Sequence, residues 1–153
     1  MLNKKIVALG ADIKNRILLA KGNTLYFGMD IGDLSDARNF GLFKKEVTRA
    51  IKKAKPDIIT CDLHPNYFSS LFAKELNLRL NTYDLRLIQH HHAHIASVMQ
   101  EHRLRGPVIG VSFDGTGYGE DGNSWGGEFL LVEGDGFKRL AHLKYRKMPG
   151  GDK

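Results

Sequence analysis

Three short apolar runs, at residues 6–9, 16–20 and 24–27, open the chain, and the turns between them are Gly10-Ala11-Asp12 and Lys21-Gly22-Asn23. Runs of that length bounded by glycine, aspartate and asparagine predict an antiparallel three-strand meander. From 36 to 54 the period changes. Phe40, Phe43, Val47, Ala50, Ile51 and Ala54 recur on one helical stripe, which predicts an amphipathic helix. Its opposite face carries Lys44, Lys45, Arg49, Lys52 and Lys53, a solvated face first and a nucleic-acid patch second. Pro56 ends that helix, and residues 57–61 read as a β-branched strand buried on both sides. A second helix follows with Phe68, Leu71, Phe72 and Leu76 inward, then a strand at 83–88. A third helix carries Ile95, Val98 and Met99 at helical spacing and ends near Arg105-Gly106-Pro107.

After Pro107 the pattern restarts. Residues 108–114, 125–132 and 137–145 predict another meander, with Glu133-Gly134-Asp135-Gly136 as a hairpin turn. The two meanders form a faint repeat of shape. The expected architecture is α/β: a first lobe over 1–105, in which alternating strands and helices follow the first meander, and an incomplete second lobe over 106–153. The two are expected to face each other across a cleft.

With 153 residues, 42% hydrophobic and 26% charged, the chain has the composition of a globular domain with a core. No apolar run approaches the roughly 20 residues that span a bilayer, so no membrane partner is expected, and the opening residues turn polar too soon for a signal peptide. A single cysteine, Cys61, excludes an internal disulfide and predicts a reducing, cytoplasmic setting. The net charge of +6 points to an anionic partner, a phosphate ligand or nucleic acid, without choosing between them.

The candidate chemistry is concentrated in Gln89-His90-His91-His92-Ala93-His94 and in Asp114-Gly115-Thr116-Gly117-Tyr118-Gly119. The histidines fall where a strand becomes a helix, and His90 and His94, four apart, share a helical face. Two imidazoles so placed can hold one borderline metal ion at roughly 2.0–2.1 Å, and the helix dipole favours their neutral form. Asp114, at a strand end, can complete a His-His-Asp set with positions left open for a ligand. The same histidines also fit a partly exposed patch at a helix start. The Asp114–Gly122 stretch reads as a glycine-rich loop whose amide groups can turn toward an anion, and equally as a plain flexible loop. It lacks the lysine and the strand-to-helix setting of a P-loop. Asp62 and His64 lie at the carboxyl end of a predicted parallel strand, where ligands of such sheets bind. They read as outer groups of the site, as does His91, or as turn and capping residues.

These motifs, together with Trp125-Gly126-Gly127-Glu128-Phe129-Leu130, Pro149-Gly150-Gly151-Asp152, Cys61-Asp62-Leu63-His64-Pro65 and Ala8-Leu9-Gly10-Ala11, resemble the HypF carbamoyltransferases of NiFe-hydrogenase maturation. The likeness runs through essentially the whole chain and falls on the start of their C-terminal transferase domain. That domain is itself similar to the universal tRNA threonylcarbamoyladenosine transferases. The resemblance implies an actin/sugar-kinase/heat-shock ATPase-like (ribonuclease H-like) fold, with His90, His94 and Asp114 as ligands of zinc or iron. It implies that Gly115, Thr116, Gly117, Gly150, Gly151 and Asp152 line a nucleotide and carbamoyl site, and that Gly10, Lys14 and Asn15 belong to a phosphate-facing turn. ATP or carbamoyl-adenylate is then the nucleotide and a HypE-like maturation protein the acceptor; nucleic acid, which the +6 charge and the tRNA-modifying relatives also suggest, ranks behind them as a third and weaker reading. No catalytic residue is singled out. The full enzymes carry further domains before this region and continue beyond it. The chain by itself is therefore expected not to turn over, and its unfinished meander predicts a homo-oligomer or a split-enzyme binding module.

Overall fold

The computed structural model describes residues 4–146. By its contacts the chain divides into two compact units, Met1–Gln89 and His90–Lys153.

In the first unit β1 (Lys5–Ala8), β2 (Asn15–Lys21) and β3 (Thr24–Gly32) form the expected antiparallel meander. Parallel strands β4 (Ile58–Asp62) and β5 (Asp84–Ile88) extend it to a five-stranded sheet in the order β3-β2-β1-β4-β5. Helix α1 (Ala37–Ala54) starts because the Asp36 carboxylate accepts the amides of Arg38 and Asn39. It stops at Lys55, which takes a left-handed conformation. Its stripe buries Phe43 and Val47 and packs Phe40, Ala50, Ile51 and Ala54 on the sheet core of Val7, Leu9, Ile17 and Ile59.

Helix α2 (Phe68–Leu80) departs from the expected stripe. Phe72 and Leu76 are buried, but Leu71 is 49% and Phe68 40% exposed. The face turned inward is lined by small residues, Ser69, Ser70 and Ala73, which let the helix lie close on β4. Ser70 Oγ donates to the carbonyl of Asp62 at that strand's end, at 2.8 Å.

In the second unit helix α3 (His90–Glu101) packs on β6 (Val108–Tyr118) and β7 (Ser124–Glu133), which continue into β8 (Gly136–His142) as an antiparallel sheet. Ile95, Trp125, Leu130 and Val132 form its core, with Met99 and Phe137 against them. Val98, expected on the same stripe, is 52% exposed. The chain does not loop out after Asp114. Strand β6 runs on to Tyr118, and its pairing with β7 breaks between Phe113 and Gly117, so that residues 114–116 bulge opposite Gly126. Among the described residues no helix is long and apolar enough to cross a membrane.

Candidate metal centre

The sequence places two imidazoles one turn apart at the start of α3, and folding brings the bulge of β6 to them. His90 Nε2 lies 3.0 Å and His94 Nε2 3.6 Å from Asp114 Oδ2. The two rings stand edge to face with centroids 4.8 Å apart. One ligand atom from each of the three residues lies within 4.8 Å of the others. A tetrahedral ion bound at about 2.0–2.1 Å separates its ligands by roughly 3.4 Å, so the three atoms are near the spacing such an ion imposes.

The Asp114 carboxylate decides whether the set fits a cation. Oδ1 accepts the Gly115 amide at 2.8 Å. Oδ2 is buried and receives no hydrogen-bond donor from the described residues. A buried carboxylate oxygen without a donor is costly unless a cation satisfies it. Side-chain exposures of 21, 56 and 30% for His90, His94 and Asp114 leave one side open, as a ligand-bearing metal requires.

His91 points away from solvent and is fully buried. Burial holds its imidazole below the ordinary pKa, against the opposing pull of Asp114 and Glu128. His92 is likewise held down by burial, with its ring 4.9 Å from that of Phe137. Both pack the helix onto the sheet and leave the ligand set to His90 and His94.

The expected glycine loop takes another form. Gly115 and Thr116 lie in the bulge, and Gly117 resumes the ladder opposite Trp125. A side chain at Gly117 would come within 2.5 Å of His91 Cε1 and 3.0 Å of His90 Cβ. That glycine is needed for close approach of the strand to the histidine helix.

The remaining candidates are distributed through the chain. Gly10 and Lys14 lie in the β1–β2 turn, both with positive φ, and Asn15 opens β2. Asn15 is buried and its Nδ2 donates to the carbonyls of Leu9 and Ala11 at 2.8 and 2.5 Å, so its amide shapes the turn. Asp62 Oδ1 accepts the His64 amide at 2.8 Å, the turn role expected as an alternative. His64 accepts from the Asn66 amide and stacks on Tyr67 at 4.1 Å. Gly150, Gly151 and Asp152 lie outside the described residues.

Two features escape a reading of the sequence alone. Asp12 accepts the amides of Phe68 and Ser69, capping α2. Arg139 binds Glu128, Asp121 and Tyr145 at once. The one legible sign of the second is Glu128, a carboxylate in the inward phase of a strand whose next inward residues are Leu130 and Val132.

Residues 2–101 match the family model described as the HypF Kae1-like domain, and residues 110–153 match the second subdomain of the carbamoyltransferase Kae1-like domain. The chain belongs to the HypF family. It is 39% identical over 150 residues to carbamoyltransferase HypF2 of Cupriavidus necator, covering 97% of this chain and 18% of that protein. A carbamoyltransferase HypF homolog of the same organism is 40% identical over 149 residues, 96% of this chain and 38% of the relative. The probable carbamoyltransferase HypF of Methanocaldococcus jannaschii is 34% identical over 153 residues, 98% and 20%. The chain thus spans about a fifth to two fifths of the length of these relatives.

Among solved structures, a full-length HypF in a phosphate- and nucleotide-bound form superposes with a TM-score of 0.84 at 40% identity, over 96% of this chain and 19% of that one. The HypF of T. kodakarensis gives 0.86 at 38%, over 97% and 20%. YeaZ from Pseudomonas aeruginosa gives 0.54 at 12%, over 97% and 73%, a likeness of fold alone. The fold class is the expected mixed α/β type of the actin/sugar-kinase/heat-shock ATPase group.

Proposed function

We propose that the chain is part of a carbamoyltransferase of NiFe-hydrogenase maturation, and that His90, His94 and Asp114 hold its divalent metal, zinc or iron. The observation that carries this reading is Asp114 Oδ2, which has no hydrogen-bond donor among the described residues and faces two imidazole nitrogens 3.0 and 3.6 Å away. Belonging to the HypF family supports it, since the named relatives are carbamoyltransferases.

In the reaction a cysteine thiol of a HypE-like acceptor attacks the carbamoyl carbon of carbamoyl-adenylate. A carbon–sulfur bond forms, the bond to the adenylate phosphate breaks, AMP leaves, and the thiol proton passes to solvent. The metal, when bound, supplies Lewis-acid polarisation of an oxygen ligand. His90 and His94 would hold it through imidazole nitrogens one helical turn apart, and the Asp114 carboxylate would offset one of its two positive charges. The backbone of the β6 bulge, with Gly115 and Thr116, would line the carbamoyl side. Gly10, Lys14 and Asn15 would face phosphate, with Gly150, Gly151 and Asp152 as further nucleotide contacts.

The test is formation of the carbamoyl-thiol on an acceptor peptide ending in cysteine, read by mass spectrometry. The chain is supplied alone and with the remaining segments of a HypF relative. Transfer that appears with those segments and disappears on His90→Ala supports the reading; transfer indifferent to His90→Ala contradicts it.

A second reading, a non-catalytic docking or split-enzyme module, has its own observation. Ile109, Val111 and Phe113 alternate along the outer face of β6 with exposures of 65, 50 and 71%. Among the described residues β6 is also the end strand of its sheet. An apolar row on an end strand favours pairing with another chain, here a second copy.

A further inference from the structure

The bulge at 114–116 releases Asp114 from the sheet ladder, so something other than β7 must fix where its carboxylate points. Two glycines just beyond the bulge supply the restraint. Gly117 lies on the buried ring of His91, close enough that a Cβ would sit 2.5 Å from Cε1 and 2.8 Å from Nδ1. Gly119 lies on Trp125, where a Cβ would overlap Nε1 and Cδ1 of the indole. The rings of His91 and Trp125 are themselves 6.1 Å apart.

Arg139 lies over the indole, its Cζ 3.9 Å from the ring centre. The guanidinium is held by three partners: Glu128 at 2.6 Å, Asp121 at 3.1 Å and the Tyr145 hydroxyl at 2.9 Å. Tyr145 and Trp125 each donate to Asp121, both at 2.8 Å. The Glu128 side chain is 1% exposed, so this is a built, hydrogen-bonded anchor, one guanidinium between two carboxylates, at the end of the β6–β7 hairpin.

We infer that Gly117, His91, Trp125 and Arg139 form one column whose task is to press the end of β6 onto the first turn of α3, aiming Asp114 at His90 and His94. The inference rests on the metal reading above and assigns positioning roles to residues that touch neither metal nor substrate. Its physical basis is the glycine contacts. A methyl at Gly117 has no room unless the strand lifts from His91, and lifting carries Asp114 away from both imidazoles. Loosening Trp125 acts in the same direction, because Asp121 at the hairpin end loses the indole N–H that ties it down.

The test is titration of the full chain with Co(II) alone, followed by visible absorption, for the wild type, Gly117→Ala, Trp125→Phe and Val132→Ala. Val132 is a buried residue of the same core and serves as the control for general destabilisation. Losing an outer-sphere partner typically costs about 10- to 100-fold in metal affinity. Gly117→Ala is expected to fold, by circular dichroism, yet bind Co(II) about tenfold or more weakly with an altered ligand-field spectrum. Trp125→Phe is expected to move affinity and spectrum the same way, and Val132→Ala to leave the spectrum unchanged. Wild-type and Val132→Ala spectra that agree, with both column variants shifted, establish the role. A wild type that takes up no Co(II) overturns the metal reading itself. A wild type that binds, with both column variants matching it or with Val132→Ala shifted equally, overturns the column alone. Should Gly117→Ala fail to fold, Trp125→Phe decides.

Discussion

The carboxylate of Asp12 caps the helix that begins at Phe68, accepting the Phe68 and Ser69 amides at 2.8 and 3.0 Å. The local cap position, Tyr67, provides no side-chain acceptor. A turn after β1 thus completes a helix fifty-six positions later. Asp12→Ala should lower the stability of the first unit by about 1–2 kcal/mol, the cost of losing a helix cap, and Asp12→Asn should recover part of it. Urea denaturation measures both; an Asp12→Ala midpoint equal to wild type would contradict the assignment.

Cys61 is 3% exposed in the core of the first unit. Burial pushes its thiol up from 9.0 to about 11, outweighing the opposing effects of Ser70 and Lys74. It should therefore react with a thiol reagent at pH 8 only as fast as the unit opens, and much faster in urea. A folded pKa above the unfolded one gives a stability contribution fully present below pH 9.0 and lost as pH rises from 9.0 toward about 11. Denaturation midpoints measured across that window should fall, and in Cys61→Ser they should fall less.

The exposed row on β6 makes self-association measurable. Sedimentation velocity should show a dimer that grows with concentration, and Val111→Lys should weaken it. Removing one buried valine from an interface costs about 1.5–3 kcal/mol, roughly tenfold or more in dissociation constant. A chain that stays monomeric at millimolar concentration would remove the docking reading and leave the metal site untouched.

What the sequence makes legible is local. Helix α1 carries its start at Asp36, its stripe and its stop before Pro56 within one segment, and the His90–His94 pair is fixed by one turn of helix. Asp114 is legible because it stands late in an apolar strand. The misreadings all involve partners far away in the chain. Gly115, Gly117 and Gly119 have turn composition, but Gly117 and Gly119 are small because His91 and Trp125 lie against them. Leu71 shares a helical stripe with Phe68, yet α2 turns its serine face to β4. Asp12 looks like a turn residue until the helix it caps is folded beside it, and Arg139 finds Glu128 only through the register of β7 and β8.

The central claim is that three side chains converge on one cation, and metal content measures it most directly. The chain is purified in the presence of zinc, dialysed and analysed by plasma mass spectrometry beside His90→Ala, His94→Ala and Asp114→Ala. The wild type should retain close to one equivalent. Each variant should lose more affinity than the roughly 10- to 100-fold caused by removing an outer-sphere partner, and so should retain little. Equal metal in all four proteins would contradict the account.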